Sequence, residues 1–394
     1  MTPGGDVSGP GFEFATATRI VFGPGRLAEA PEAVRGLGGS RVLLVTGKDP
    51  ARARTLQEAL ERLGLPVRVF PVDGEPTVEL AREGMAAALE SRCDAVVAMG
   101  GGSALDAGKA FAALATNGGD PLDYLEVIGR GKPLACPSLP FVAIPTTAGT
   151  GSEVTRNAVL GSKEAKVKAS LRSPHMLPRV ALVDPELLVG APAAVLAASG
   201  LDALSQLIEP FLSSRANPLT DALAREGMRR SARSLRRAVL EGPDAPARED
   251  LALASLFGGL CLANSGLGAV HGFAAPVGGM FEAPHGAVCA ALLPAVLDVN
   301  LRALRARAPQ HPAVPRFQVV AELLTGRPDA RAEDALVWVE DLRAALRVPG
   351  LGRYGLTAAE VPALVAKAKA ASSMKANPLV LTDAELTEIA TRSM

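Results

Sequence analysis

Through its first half the chain alternates short β-branched runs with helical runs, and then the alternation stops. Arg41–Thr46 (RVLLVT), Val67–Val72 (VRVFPV), Asp94–Met99 (DAVVAM), Leu139–Ile144 and Val180–Val183 read as buried strands. Between them lie Ala53–Leu63 with helical spacing, a helix capped by Thr77 that runs to Glu90, and another that ends near Leu114. Strands that alternate with helices imply a mostly parallel sheet covered on both faces. After about Gly190 long Ala/Leu helical patterns take over: Ala193–Ser213, Asn217–Glu241, Ala247–Asn264, His285–Arg305 and Pro315–Leu324. A chain of 394 residues is long enough for two domains. The expected division is an α/β domain over residues 1–188 and an all-helical domain over 189–394. The Pro/Gly-rich first ten residues are expected to fray.

Charge is distributed unevenly. Lys+Arg and Asp+Glu are 41 each, which gives no electrostatic case for nucleic acid or an anionic membrane surface. Yet Leu251–Phe281 contains no charged residue, and a second uncharged run follows Glu282 to Leu297. Such length suggests a membrane span. The stretch is broken by Ser255, Asn264, Ser265, His271, Pro276 and seven glycines, so a buried helical segment is the better reading, with no membrane partner. The four cysteines are far apart without a CxxC pair, which argues against a disulfide framework or a cysteine zinc site and fits a reducing, cytoplasmic location. The N-terminus lacks the pattern of a signal peptide.

Two glycine-bearing loops follow strands. Met99-Gly-Gly-Gly-Ser-Ala-Leu-Asp-Ala-Gly-Lys109 opens a helix, whose N-terminus presents unpaired N–H groups and partial positive charge. Glycines permit close backbone approach, so the turn suits a pyrophosphate. Its spacing is neither GxGxxG nor a P-loop, and a plain strand-to-helix turn explains it too. Pro145-Thr-Thr-Ala-Gly-Thr-Gly-Ser-Glu153 also follows a strand, at the carboxyl edge where ligands of open α/β sheets gather. Two such loops at one edge point to a dinucleotide and a Rossmann-like domain.

In the helical half, Asp202 and Gln206 are spaced i,i+4 and share a helix face. His271 and His285 lie in and beside the charge-poor stretch. A carboxylate and two imidazoles suit Zn²⁺ or Fe²⁺, although by spacing alone a buried histidine is more often a satisfied core residue than a ligand.

Together these segments resemble the iron-containing (group III) alcohol dehydrogenase family. The resemblance rests on RIVFGPG (residues 19–25), GGGSALDAGK, IPTTAGTGSEVT, ALVDPEL, GLDAL, AVHGFAAPVGGMFEAPHGAVCAALLPAVLDVN and Asn377-Pro378. It implies a dehydroquinate-synthase-like architecture, with an N-terminal dinucleotide-binding domain and a helical metal and substrate domain. It implies cofactor contacts at Gly101, Gly102, Ser103, Asp106, Thr146, Thr147, Asn157 and Lys168. It implies a metal in the interdomain cleft held by Asp202, Gln206, His271 and His285, with Asp202, His271 and His285 catalytic. The implied reaction is hydride transfer between NAD or NADP and a small alcohol or aldehyde, in a homo-oligomer, most simply a dimer.

The sequence departs from the family pattern twice. Gln206 stands where a metal-ligating histidine is expected, and Ala275 stands where many members place a proton-relay histidine. Three readings follow. The metal binds through Asp202, His271 and His285 with Gln206 or water completing the shell, as in the three-ligand zinc glycerol dehydrogenases. Alternatively the site is metal-free, as in maleylacetate reductases, or the protein is inactive. A dehydroquinate-synthase-like lyase is a further alternative, but basic residues for a phosphate-bearing substrate are missing near His271 and His285. Gly47 stands where NAD-preferring members often carry Asp, and Lys48 and Arg52 add positive charge, so NADP is expected to be accepted at least as well as NAD.

Overall fold

The computed structural model describes residues 11–394 apart from residues 163, 166, 243 and 282. The expected fraying of the first ten residues lies outside the described range. Among the described residues eight strands form two sheets: β1 (Arg19–Phe22), β2 (Val42–Thr46), β3 (Val67–Pro71), β4 (Ala95–Gly100), β5 (Phe141–Pro145), β6 (Asn157–Ser162), β7 (Val167–Arg172) and β8 (Val180–Val183). Six make a parallel sheet in the order β1-β8-β5-β4-β2-β3, and β6 and β7 make a separate antiparallel pair. Helices α1 (Ala30–Gly36), α2 (Arg54–Arg62), α3 (Val78–Glu90), α4 (Gly102–Asn117) and the short α5 (Pro121–Tyr124) accompany the strands. Cores on either side of the sheet, one around Leu43, Phe111 and Phe141 and the other around Leu44, Leu56 and Ile144, show that both faces are covered.

The all-helical part follows: α6 (Ala193–Leu212), α7 (Pro218–Leu240), α8 (Ala245–Ser265), α9 (Ala269–Met280), α10 (His285–Arg307), α11 (Ala313–Thr325), α12 (Ala332–Ala345), α13 (Val361–Ala370) and α14 (Asp383–Arg392). α6 and α10 are long and apolar enough to cross a membrane, but 78% and 89% of their apolar windows are buried inside the protein. Contacts with neighbouring helices therefore account for their apolarity. The uncharged stretch from Leu251 is the body of α8 and all of α9, bent by 99° at the break between them.

Three strands, β1, β6 and β7, were not anticipated. β1 is four residues long, with two residues exposed and two half-buried, and lies at the sheet edge beside β8, so it lacks the fully buried apolar run that marks a strand. The β6–β7 pair is polar and only half-buried, and Gly161, Ser162 and Lys168 weaken its pattern further.

Strand register brings the loops together. Thr46 pairs with Met99, and Gly100 pairs with Pro145. The carboxyl ends of β2, β4 and β5 are thus level, and Gly47, Gly101–Ser103 and Thr146–Thr147 leave the sheet side by side. The loop after β5 then meets α8 backbone to backbone. A Cβ on Gly259 would lie 2.5 Å from the Gly151 carbonyl oxygen and 2.8 Å from Val154 Cγ2. Gly151 itself has φ +58°, a left-handed conformation that glycine adopts without strain. Because a neighbouring backbone cannot rotate away, Gly259→Ala is expected to cost at least ~1–3 kcal/mol. Thermal unfolding should show a lowered Tm, and cofactor titration should show weaker binding as the loop is pushed off its seat.

Candidate active site

The two glycine-bearing loops are fastened to each other before any ligand is considered. A Cβ at Gly102 would meet Thr150 Cγ2 at 2.6 Å, and one at Gly101 would meet Thr147 at 3.4 Å. Ser152 Oγ donates to Asp106 Oδ1 at 2.5 Å, and the Val159 N–H donates to Asp106 Oδ2 at 2.9 Å. Lys109, fully buried, donates from Nζ to the Ser152 carbonyl and to Thr155 Oγ1, and lies 3.1 Å from Asp106. Burial pulls the Lys109 pKa down, and the Asp106 charge opposes that pull. Asp106 thus ties α4 to both the second loop and β6.

α4 begins at Gly102 with Gly101 as an N-cap that offers no side-chain oxygen. Its first-turn N–H groups are therefore suited to an anionic ligand, and the turn fits a pyrophosphate. Gly102, Ser103, Asp106, Asn157 and Lys168 line one cleft of about 240 Å³ together with Gln206, His271, Ala275 and His285. Thr146 is buried behind it, its N–H bonded to the Gly100 carbonyl, and Thr147 faces Gly101. Gly47 sits at the end of β2, where a Cβ would meet nothing within 4 Å. Beside it, Lys48 pairs with Asp73 at 2.9 Å, and Arg52 reaches the carbonyls of Leu187 and Val189.

The helical side of the cleft presents a compact donor cluster. His271 Nε2 lies 3.3 Å from Asp202 Oδ1, and His285 Nε2 lies 3.8 Å from the same oxygen. Cys289 Sγ lies 3.7 Å from each of these two nitrogens. One donor atom from each of the four residues falls within 4.8 Å of all the others. Asp202 and Gln206 are almost fully buried, and Asp202 Oδ1 and Gln206 Oε1 are without a hydrogen-bond partner. Buried polar atoms of this kind are costly, and a cation or ligand group would satisfy them.

His271 is positioned by its helix terminus. Gly268 provides no side-chain cap for α9. Instead the Ala269 N–H donates to Asn377 Oδ1 at 3.1 Å, and the Val270 N–H donates to Glu209 Oε1 at 2.7 Å. A side chain at Gly268 would press within 3 Å of both acceptors. The second oxygen of Glu209 accepts from His271 Nδ1 at 2.6 Å. A carboxylate on Nδ1 fixes the ring orientation and aims Nε2 at Asp202, His285 and Cys289, the atom a metal would take in place of a proton.

The electrostatics of the cluster agree with its geometry. Burial opposes charge on His271, but the surrounding Cys289, Asp202 and Glu209 groups hold its pKa well above the ordinary value. Cys289 and, against the cost of burial, Asp202 push His285 up to about 9. Burial raises the Asp202 pKa, yet the histidine charges outweigh it and hold the carboxyl below its usual range. The four side chains form an electronegative pocket that favours positive charge, and their donors fit a divalent metal ion.

Sequence reasoning named Asp202, Gln206, His271 and His285, and the structure places the last three on the cleft lining with Asp202 buried against the two imidazoles. It missed Glu209 and Cys289. Glu209 stands seven residues after Asp202, two helical turns along the same face and in an apolar run. Cys289 stands four residues after His285, one turn along α10. The wide spacing of the cysteines argued against a cysteine zinc site and gave no hint of one cysteine beside two histidines.

The chain matches the iron-containing alcohol dehydrogenase family over residues 17–185 and the C-terminal Fe-containing alcohol dehydrogenase family over residues 196–394. It is 41% identical to a 1,3-propanediol dehydrogenase of Klebsiella pneumoniae over 297 residues, covering 74% of this chain and 76% of that protein. It is 35% identical to an NAD-dependent methanol dehydrogenase of Bacillus methanolicus, covering 94% and 96%. A crystal structure of a 1,3-propanediol oxidoreductase superposes with a TM-score of 0.89 at 36% identity, covering 98% of this chain and 100% of that one. The chain belongs to the iron-containing alcohol dehydrogenase family and is an alcohol dehydrogenase/aldehyde reductase.

The Glu209–His271 bond generates a specific expectation. Glu209→Gln, which keeps an acceptor for Val270 but loses the charge, is expected to weaken metal binding about 10–100-fold with the fold retained. Isothermal titration of metal-stripped protein, with circular dichroism as the folding check, measures both.

Proposed function

We propose that this protein transfers a hydride reversibly between NAD(P) and a small neutral alcohol or aldehyde at a divalent metal held by Asp202, His271 and His285. Residues 1–188 serve as the cofactor domain and 189–394 as the metal and substrate domain. The observation that carries this reading is the buried Asp202 Oδ1, unpartnered and faced by two imidazole Nε2 atoms at 3.3 and 3.8 Å. When bound, the nicotinamide supplies the hydride and the metal, Fe²⁺ or Zn²⁺, acts as a Lewis acid on the substrate oxygen.

The residues of the chain do the rest. Gly101, Gly102 and Ser103 at the head of α4 hold the pyrophosphate, with Thr146 and Thr147 beneath it. Asp106, Asn157 and Lys168 orient the nicotinamide half. Glu209 fixes the His271 ring. Gln206 lines the same cleft, and its Oε1 is buried without a hydrogen-bond partner. Leu262, Leu267 and Ala275 make an apolar wall that limits water around the reacting carbon. Lys168 pairs with Glu75 at 3.5 Å, so the cleft mouth carries no unpaired cation there for an acidic substrate. With alanine at position 275, the proton leaves through water or the ribose hydroxyls. A cytoplasmic homodimer, without nucleic-acid or membrane partners, completes the reading and rests on the family resemblance and the balanced charge.

Chelation is expected to abolish NAD(P)H oxidation with a panel of small aldehydes, and Zn²⁺ or Fe²⁺ to restore it. Full activity in metal-stripped protein would instead favour a maleylacetate-reductase-like, metal-free site. For the cofactor, the open space at Gly47 and the nearby Lys48 and Arg52 support use of NADPH at least as good as NADH. Gly47→Asp should lower kcat/KM for NADPH about tenfold relative to NADH, the effect of ~1.4 kcal/mol of repulsion. A strong NADH preference in the unaltered protein would refute it.

A further inference from the structure

Gln206 lines the same cleft as His271 and His285 but offers only a neutral amide oxygen, whereas Cys289 offers a sulfur within reach of both imidazoles. A tetrahedral centre with bonds of about 2.0–2.1 Å to nitrogen or oxygen and about 2.3 Å to sulfur spaces its N and O donors about 3.4 Å apart and its S and N donors about 3.6 Å apart. The observed separations are 3.3 and 3.8 Å from Asp202 Oδ1 to the two Nε2 atoms, and 3.7 Å from Cys289 Sγ to each. Four of the six tetrahedral edges thus agree to within about 0.4 Å, and the remaining two, Asp202–Cys289 and His271–His285, are within 4.8 Å.

The other buried thiol provides the contrast. Cys261 Sγ donates to the Thr220 carbonyl at 3.3 Å, and burial pushes its pKa up. Cys289, equally buried, has two imidazole nitrogens as its neighbours. The unpartnered Asp202 Oδ1 is a second sign, independent of the thiol, that a cation belongs among these atoms. The Gln206 amide oxygen is neutral and a weaker donor.

We propose that the Cys289 thiolate, not Gln206, is the fourth protein ligand of the metal, giving an Asp-His-His-Cys set that selects zinc. The proposal rests on the reading that Asp202, His271 and His285 hold a metal. Binding breaks the Cys289 S–H bond, forms the sulfur–metal bond and releases the proton to solvent. Thiolate and imidazole donors around one carboxylate match zinc, which accepts all three donor types tetrahedrally. A cysteine one turn after His285 thereby offsets a glutamine one turn after Asp202.

Cobalt titration of metal-stripped, full-length protein tests this through its spectrum, apart from activity. One equivalent of Co²⁺ should produce an intense near-ultraviolet sulfur-to-cobalt charge-transfer band. Cys289→Ser should lose the band and bind cobalt at least ~10-fold more weakly, while Gln206→Ala and Cys261→Ser keep the band. If Cys289→Ser does not fold, the spectrum of the unaltered protein still decides. Stoichiometric cobalt without the band overturns the proposal and leaves the metal site standing. A band that survives Cys289→Ser overturns it as well. Failure to bind cobalt overturns the metal reading and the proposal with it. Iron in place of zinc in freshly purified protein overturns the selectivity.

Discussion

The site depends on a place where two backbones touch. Gly151 in the loop after β5 and Gly259 in the middle of α8 approach so closely that neither position has room for a Cβ. That contact seats the helical part of the chain on the carboxyl edge of the sheet. The loop that makes it is the one fastened to α4 by Ser152, Asp106 and Lys109. Cofactor turn, second loop and helical domain thus form one stack. A displacement at the glycine contact would be felt at the head of α4 and on the cleft wall formed by α8.

A second constraint acts one bend further along the chain. After the 99° turn, α9 starts without a cap of its own and borrows acceptors from Asn377 and Glu209. The Glu209 carboxylate then serves two ends at once, the terminus of α9 and the ring of His271. This economy explains why a charged residue is tolerated deep in α6. It satisfies one buried N–H and one imidazole N–H, so no acceptor of the carboxylate is wasted. The same arrangement couples the aim of the metal-facing nitrogen to the docking of a whole helix.

Much of this was legible in the residues. The parallel strands β2, β3, β4, β5 and β8 are apolar runs between helical ones, and a run such as Val42–Thr46, buried at every position, announces itself. β1 and the β6–β7 pair did not, because an edge strand and a polar hairpin leave no continuous apolar pattern. Asp202, Gln206, His271 and His285 could be picked out because polar groups are rare in their surroundings. Glu209 and Cys289 were hidden for opposite reasons. The first looked like an ordinary charge on a long helix, and the second like an ordinary small residue of a helical core. Their partners lie 62 and 18 residues away in the chain, on α9, and only the fold brings them together.

The absence of charge from Leu251 to Phe281 now has a physical account in three parts. The glycines of α8 and α9 are needed where neighbours come too close for side chains: Gly259 meets Gly151, Gly268 meets Asn377 and Glu209, and Gly272 meets Met374. The apolar residues Leu262, Leu267 and Ala275 face the cleft, where a low-polarity wall strengthens every charge interaction across it. A lysine or arginine in this stretch would compete for the electronegative pocket formed by Asp202, Cys289 and the two imidazole nitrogens. Keeping fixed positive charge out leaves that pocket to a mobile cation. What resembles a membrane segment by composition is thus explained as the uncharged lining of a cation and hydride site, with His271 as the one imidazole it admits.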